Sequence, residues 1–173
     1  MYEIILTEMQ IRQVVERLAF EVAADVGKKP LIVTGVLKGC LHFTSDLLRA
    51  LSNLGVEAET DFIDCASYSG TQSTGEVKCI LMPQLDCKGK YVLLADTVLE
   101  TGRTLKKAVE IYEELGAEKI EACVLLDKKE MRKVDVKAKF TGMDVGSDFI
   151  IGYGLDFEQQ YRNLPFVAKL LKE

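Results

Sequence analysis

The chain has 173 residues, 48% hydrophobic and 28% charged, which is an ordinary composition for a globular protein with a sizeable core. Its net charge of −5 argues against a nucleic-acid partner or an anionic membrane surface. No apolar run approaches the roughly 20 residues that a membrane helix needs, so we expect one domain with no nucleic-acid and no membrane partner.

The first part of the chain alternates between helix and strand signals. A capping box at Thr7 and apolar residues at helical spacing predict a helix over Glu8–Val26. The apolar run Leu31–Val36 predicts a buried strand. Residues 41–54 then predict a second helix, which ends at Gly55.

The second part of the chain repeats this alternation. Residues 56–65 predict a strand, residues 77–81 a short strand, and residues 91–95 a fully buried strand. A helix over residues 104–115 and a strand over residues 120–126 follow. This order indicates parallel βαβ units and therefore an α/β fold with a doubly wound, mostly parallel sheet. Ligands of such sheets bind beyond the carboxyl ends of the strands.

The cysteines and the first residues bear on where the protein works. The five cysteines are an odd number, and none belongs to a C-x-x-C pair. With only one histidine in the chain, a structural zinc site is not favoured. Free thiols in a reducing cytosol fit best. The first residues lack the basic start and long apolar stretch of a signal peptide, so we expect a cytoplasmic location.

The stretch that follows the strand at residues 91–95 is the most informative part of the chain. That strand ends at a carboxylate, Asp96, and a second acid, Glu100, follows four residues later. Gly102 then lies in a tight turn before the next helix, where the backbone can approach a ligand closely. Hydroxyls and N–H groups at residues 101–104 suit a phosphate at a helix N-terminus.

This stretch resembles the phosphoribosyl-diphosphate (PRPP) loop of type I phosphoribosyltransferases. The loop of that family runs acid, acid, two apolar residues, acid, Thr, Gly, one variable residue and a final hydroxyl. The present chain reads Asp96-Thr97-Val98-Leu99-Glu100-Thr101-Gly102-Arg103-Thr104. It departs from the pattern at Thr97, in place of the second acid, and at Glu100, where purine enzymes usually carry aspartate.

Three further segments are similar to the hypoxanthine-guanine branch of the family, and they occur in its order and with its spacing. Lys38 and Gly39 follow a buried strand and resemble the pyrophosphate loop of that branch. Ser67 and Tyr68 resemble its mobile flap. The segment over residues 149–165 resembles its base-binding and closing segment. Together with the PRPP loop, the matching segments span most of the chain.

The resemblance implies a purine-salvage enzyme. It would transfer the 5-phosphoribosyl group from PRPP to a 6-oxopurine, hypoxanthine or guanine, and release IMP or GMP and pyrophosphate, with Mg²⁺ as cofactor. It also implies a type I phosphoribosyltransferase fold in a single domain over residues 1–173. The core would cover about residues 31–145, with a small hood from about residues 1–10 and 146–173. A homodimer or homotetramer is expected.

Residue by residue, the resemblance divides the site into two halves. The 5′-phosphate and ribose would be bound by Asp96, Thr97, Thr101, Gly102, Arg103 and Thr104. Pyrophosphate would be bound by Lys38, Gly39 and Arg162. Mg²⁺ prefers oxygen ligands, and these would come from Asp96 and Asp156. Glu100 would handle the proton at nitrogen N7 of the base.

The base would be bound by Lys128, Phe149, Ile150 and Asp156. Lys128 would donate to the 6-oxo group and so reject a 6-amino base. Phe149 would stack on the base, and the backbone of Ile150 would read its edge. Ser67 and Tyr68 would close over the reaction centre and exclude water.

Each of these assignments has a structural alternative. Lys128 lies in a charged run that could be solvated, Phe149 could belong to the core, and Glu100 could be a solvated acid in the first turn of a helix. A regulator built on the same fold, which binds PRPP or a nucleotide with weak or no catalysis, is the competing function. Thr97 and Glu100 keep it open, although the acidic net charge argues against an RNA-binding regulator.

Overall fold

The computed structural model describes residues 1–67 and 77–171, and a six-stranded sheet forms their centre. The strands are β1 (Tyr2–Leu6), β2 (Leu31–Val36), β3 (Glu59–Ser67), β4 (Val77–Leu81), β5 (Tyr91–Leu99), β6 (Lys119–Asp127), β7 (Phe140–Asp144), β8 (Ile150–Ile151) and β9 (Val167–Leu170). The helices are α1 (Glu8–Val26), α2 (Leu41–Asn53) and α3 (Arg103–Glu114), and a short 3-10 helix covers Lys129–Met131.

The central sheet has the strand order β4-β3-β2-β5-β6-β7. Its neighbours are parallel, except that β4 runs antiparallel to β3. The chain leaves β2 towards β3 on one side and later returns to β5 on the other, so the strand order reverses between β2 and β5. The predicted doubly wound, mostly parallel α/β fold is confirmed. Ligands of such sheets bind at this reversal point.

Helices cover both faces of the sheet, which explains why its inner strands are apolar on both sides. Helices α1 and α2 pack on one face through residues such as Leu18, Phe43 and Leu47. Helix α3 packs on the other face through Leu105 and Tyr112. No helix in the described ranges is long and apolar enough to cross a membrane.

The two ends of the chain form a second, smaller sheet above the first. Strand β9 lies between β1 and β8, and both pairings are antiparallel. Residues 1–10 and 146–173 were expected to contribute a hood, but none of these strands was predicted. Each has only two to five residues, too few for a clear alternation of apolar and polar side chains.

One strand boundary matters for the site. β5 was predicted to end at residue 95, but it continues to Leu99 because β6 remains paired with it as far as Leu99 and Asp127. Asp96 and Thr97 therefore lie within a strand, where successive side chains point to opposite faces. This alternation decides which of them faces a ligand.

The expectation that all five cysteines are free thiols is wrong for one pair. Cys65 and Cys79 form a disulfide between paired positions of β3 and β4. Pairing between strands joins residues that are far apart along the chain, so the absence of a C-x-x-C motif gave no sign of it. Cys40, Cys87 and Cys123 are free and buried.

Candidate active site

The loop between β5 and α3 encloses a cavity of about 280 Å³. Its lining residues are Asp96, Val98, Leu99, Glu100, Thr101, Gly102, Thr104 and Leu105. Gly102 has a left-handed backbone with φ of 82°, and a Cβ atom there would lie 2.5 Å from Val136 Cγ1. Only glycine fits this turn. Arg103 begins α3, and its N–H donates to the Thr101 hydroxyl over 3.4 Å.

The segment that follows β6 braces this loop from outside. The N–H groups of Lys128 and Lys133 donate to the carbonyls of Leu99 and Thr101 over 2.9 and 3.0 Å. The Arg132 guanidinium donates to the Glu100 carbonyl over 3.1 Å and forms an ion pair with the buried Asp127. The bracing role of Arg132 was not predicted from the sequence. Its only sign was a charged run, which is usually solvated.

A second cavity, of about 240 Å³, adjoins the end of β6. It is lined by Val98, Glu100, Lys128, Phe149, Ile150, Leu155 and Asp156. The structure thus brings together all four residues that were expected to bind a base, with the expected acid beside them. Phe149 is 52% exposed, so its ring is not part of the core. That ring meets Phe157 edge to face, with 5.7 Å between centroids.

Glu100 lines both cavities and therefore lies where they meet. It forms an ion pair with the Lys128 ammonium, whose side chain is only 3% exposed. Lys128 is therefore not a solvated surface charge. An ammonium has three donor hydrogens, so Lys128 can hold the carboxylate and still donate to a ligand in the second cavity.

The loop after β2 approaches the same edge of the sheet. Lys38 is exposed at its tip, whereas Cys40 is buried below it, and burial raises the pKa of the Cys40 thiol to about 12. A thiol with such a pKa is protonated and unreactive. Gly154 packs directly on this loop, because a Cβ atom there would lie 2.0 Å from the Gly39 carbonyl oxygen.

Arg162 and Asp156 lie close together, and their side chains form an ion pair with each other. An Arg162 nitrogen and an Asp156 oxygen are 2.7 Å apart, and a second Arg162 nitrogen donates to the Gly154 carbonyl over 2.7 Å. Two separate roles, pyrophosphate binding and metal binding, were expected for these side chains. In this geometry a ligand would have to share or replace their mutual ion pair.

The structure corrects the expectation that Thr97 binds the ribose. Its side chain is fully buried, and its hydroxyl donates to the Gly39 carbonyl over 2.8 Å. The hydroxyl is therefore committed to the neighbouring loop rather than presented to a ribose. The Asp96 carboxylate does line the first cavity, and it accepts a hydrogen bond from the Thr97 N–H at 2.7 Å.

Burial raises the pKa of Asp96 from 3.8 to about 7, and the negative charge of Glu100 adds to the effect. A carboxyl group whose pKa is higher in the folded protein destabilises the fold when it ionises. This penalty is absent below about pH 4, grows as the pH rises to about 7, and is complete above that.

We therefore expect Asp96→Asn to raise the melting temperature more at pH 8 than at pH 5. The amide removes the ionisation but can still accept from the Thr97 N–H. Thermal unfolding without Mg²⁺ or any ligand measures the difference. An equal change in melting temperature at both pH values would contradict the assignment.

The two acids that were expected to bind Mg²⁺ do not form a metal site by themselves. Within residues 1–67 and 77–171, no group of three or more potential ligand side chains could hold a metal ion alone. Mg²⁺ commonly uses one or two carboxylates together with phosphate oxygens and water. Asp96 and Asp156 line the two adjoining cavities and fit this pattern.

The expected flap falls partly outside the described residues. Ser67 is the last residue of β3 and pairs with Val77 of β4. Tyr68 lies in the range 68–76, outside the described residues.

Comparison with known proteins gives one consistent result. A family profile described as a phosphoribosyl transferase domain matches residues 1–158. The hypoxanthine-guanine phosphoribosyltransferase of Staphylococcus aureus is 38% identical over 172 residues, which cover 99% of this chain and 94% of that protein. The Staphylococcus epidermidis enzyme of the same name is 35% identical over 171 residues, 98% of this chain and 94% of its own.

Solved structures agree with the sequence relatives. A hypoxanthine phosphoribosyltransferase from Staphylococcus aureus superposes with a TM-score of 0.91 at 38% identity, covering 98% of this chain and 91% of its own. A hypoxanthine-guanine phosphoribosyltransferase from Bacillus anthracis gives a TM-score of 0.90 at 32% identity and covers 98% of both chains. The likeness thus includes both the central sheet and the smaller one.

Proposed function

The chain belongs to the phosphoribosyltransferase family, and we propose that it is a purine-salvage enzyme that transfers the 5-phosphoribosyl group from PRPP to hypoxanthine or guanine. The products are IMP or GMP and pyrophosphate. The observation that carries this proposal is the position of Glu100, which lines both the cavity of the PRPP loop and the cavity that contains Lys128 and Phe149. A carboxylate at that junction lies where a ribose would meet a base.

The first cavity supplies the phosphoribosyl half of the site. The 5′-phosphate accepts hydrogen bonds from the N–H groups of Thr101, Gly102 and Thr104 and from the two threonine hydroxyls. These groups lie at the start of α3, where the helix dipole also favours an anion. Asp96 accepts hydrogen bonds from the ribose hydroxyls. Asp96 and Asp156, together with substrate oxygens, would hold a Mg²⁺ ion, which would supply positive charge beside the departing pyrophosphate.

The second cavity supplies the base half of the site. Phe149 presents its exposed ring to the purine, and Lys128 donates to the 6-oxo oxygen. Glu100 receives the proton from N7 as the base forms its bond to the ribose. Adenine offers an amino group where Lys128 needs an acceptor, so one N–H of the buried ammonium is left without an acceptor although its ion pair with Glu100 remains.

Catalysis is favoured over the alternative of a regulator that only binds PRPP or a nucleotide. A regulator needs no acid at the junction of the two cavities and no buried lysine paired with it. The relatives that cover nearly the whole chain also carry enzyme names. A cytoplasmic location and a homodimer or homotetramer are part of the proposal, and size-exclusion chromatography with light scattering tests the latter.

The proposal is tested with the purified protein, PRPP, Mg²⁺ and each of hypoxanthine, guanine, xanthine and adenine, with nucleotide measured by chromatography. We expect nucleotide from hypoxanthine or guanine at a kcat/KM at least about tenfold above that for adenine, in line with one lost hydrogen bond to a charged group. Equal use of adenine would contradict the base assignment. Binding of PRPP without product from any base would favour the regulator.

A further inference from the structure

The carbonyl of Gly39 is held from two sides. On one side the Thr97 hydroxyl donates to it over 2.8 Å. On the other side Gly154 packs so closely that a Cβ atom on it would lie 2.0 Å from the same oxygen. The peptide that follows Gly39 is thus fixed between the central strand β5 and the C-terminal segment, across the point where the strand order reverses.

Thr97 is a rigid support for this contact. Its neighbours in β5 pair with β6 on either side, Asp96 with Val124 and Val98 with Leu126. Its side chain is fully buried, and the branched Cβ restricts its rotation. A hydroxyl can donate a hydrogen bond to a carbonyl, whereas an ionised carboxylate can only accept one. The neutral residue in place of an acid is what makes this contact possible.

Fixing the Gly39 carbonyl also orients the rest of its peptide group. The peptide between Gly39 and Cys40 is trans and planar, so its carbonyl and its N–H point in opposite directions. With the carbonyl directed at β5, the Cys40 N–H points away from β5. Loss of the Thr97 hydroxyl would remove the hydrogen bond that directs this carbonyl at β5, because the contact with Gly154 is steric and supplies no hydrogen bond.

We propose that Thr97 is a positioning residue that holds the loop over residues 38–40 in the conformation that binds pyrophosphate. It acts through the Gly39 carbonyl and contacts neither the ribose nor the base. The proposal rests on the proposed function for the identity of the anion. Loss of the hydroxyl therefore weakens binding of PRPP and pyrophosphate while binding of the purine stays the same.

The test compares Thr97→Val, which keeps the shape and removes the donor, with Thr97→Ser, which keeps the donor. Calorimetry with magnesium pyrophosphate gives the Kd, and steady-state kinetics gives KM for PRPP and for hypoxanthine. We expect Thr97→Val to raise the pyrophosphate Kd and the PRPP KM about three- to tenfold, the range for one neutral hydrogen bond. Its KM for hypoxanthine stays within about twofold, and Thr97→Ser restores most of the lost affinity.

Thr34→Val is the matched control, because it removes the hydroxyl of another buried threonine, which is hydrogen-bonded to the Tyr112 hydroxyl of α3 and not to the loop over residues 38–40. It should leave pyrophosphate affinity unchanged. Equal effects of Thr97→Val and Thr97→Ser, or an equal rise in KM for PRPP and hypoxanthine, would overturn the proposal. If Thr97→Val does not fold, Thr97→Ala takes its place with the same expectations.

Calorimetry separates this proposal from the proposed function. A protein that makes no nucleotide from any base but binds pyrophosphate more weakly after Thr97→Val would refute the enzyme and support the role of Thr97. A protein that makes nucleotide, but whose pyrophosphate affinity is unchanged by Thr97→Val, would support the enzyme and refute the role of Thr97.

Discussion

Replacing Glu100 with glutamine is expected to lower kcat/KM for hypoxanthine by about 10²–10⁴-fold, the usual contribution of a general acid or base. The amide has nearly the same shape and can still accept a hydrogen bond from Lys128, so the site should keep its geometry. It cannot take the proton from the base. Steady-state kinetics with PRPP and hypoxanthine measures the loss, and thermal unfolding confirms that the variant is folded.

The control for this change is Glu113→Gln, which removes an exposed acid from α3, the helix that the loop leads into. Its kinetics should match those of the unmodified protein. A Glu100→Gln variant that keeps its activity within about threefold would show that this carboxylate does not carry the proton, since general acid–base catalysis is worth far more.

The second large effect is expected from Lys128→Met. Methionine retains an unbranched side chain of similar length but loses the ammonium. Activity with hypoxanthine should fall by about 10- to 100-fold, as for a lost hydrogen bond to a charged group in a buried site. Activity with adenine should change far less, because adenine offers Lys128 no acceptor at that position. The ratio of the two kcat/KM values is therefore the decisive measurement.

Lys129→Met is the matched control for Lys128→Met. The Lys129 side chain is 65% exposed and pairs with Asp144, away from both cavities. Its removal should leave the preference for hypoxanthine intact. An equal loss with both bases in Lys128→Met would mean that Lys128 supports Glu100 or the fold, and that another group selects the base.

Much of the fold could be predicted because its signals are local. The bounds of α1 agree with the prediction at both ends, since a capping box at Thr7 begins the helix and Gly27 follows its last residue. Strand β2 was also predicted correctly, because a strand buried on both faces is a continuous apolar run with clear limits. The residues that follow such strands were expected to lie at one edge of the sheet. Asp96 and Lys128, which line the two adjoining cavities, do lie together there.

The face of the sheet to which the Thr97 side chain points could not be predicted, because it depends on where β5 ends. With the strand ended at residue 95, Thr97 lay in a turn and its hydroxyl was free to meet a ribose. In the longer strand the side chains alternate, so Asp96 and Val98 are partly exposed whereas Thr97 and Leu99 are buried. Pairing with β6 sets the length of β5, so this length could not be predicted from the sequence of β5 alone.

Contacts between distant segments also could not be predicted from the sequence. The Cys65–Cys79 disulfide depends on the register of β3 and β4. The contact of Arg132 with the Glu100 carbonyl depends on how the chain turns after β6. Neither has a signature within a short window of sequence, so a single chain without a structure does not reveal them.

The two adjoining cavities are inferred to hold the two halves of one nucleotide, with Glu100 between them. A crystal structure of the protein with IMP tests it most directly. We expect the 5′-phosphate at residues 101–104 and the purine against Phe149 with its 6-oxo oxygen at Lys128. The Glu100 carboxylate should lie within hydrogen-bond distance of N7. A nucleotide with its phosphate elsewhere, or with its base outside the cavity of Lys128 and Phe149, would contradict it.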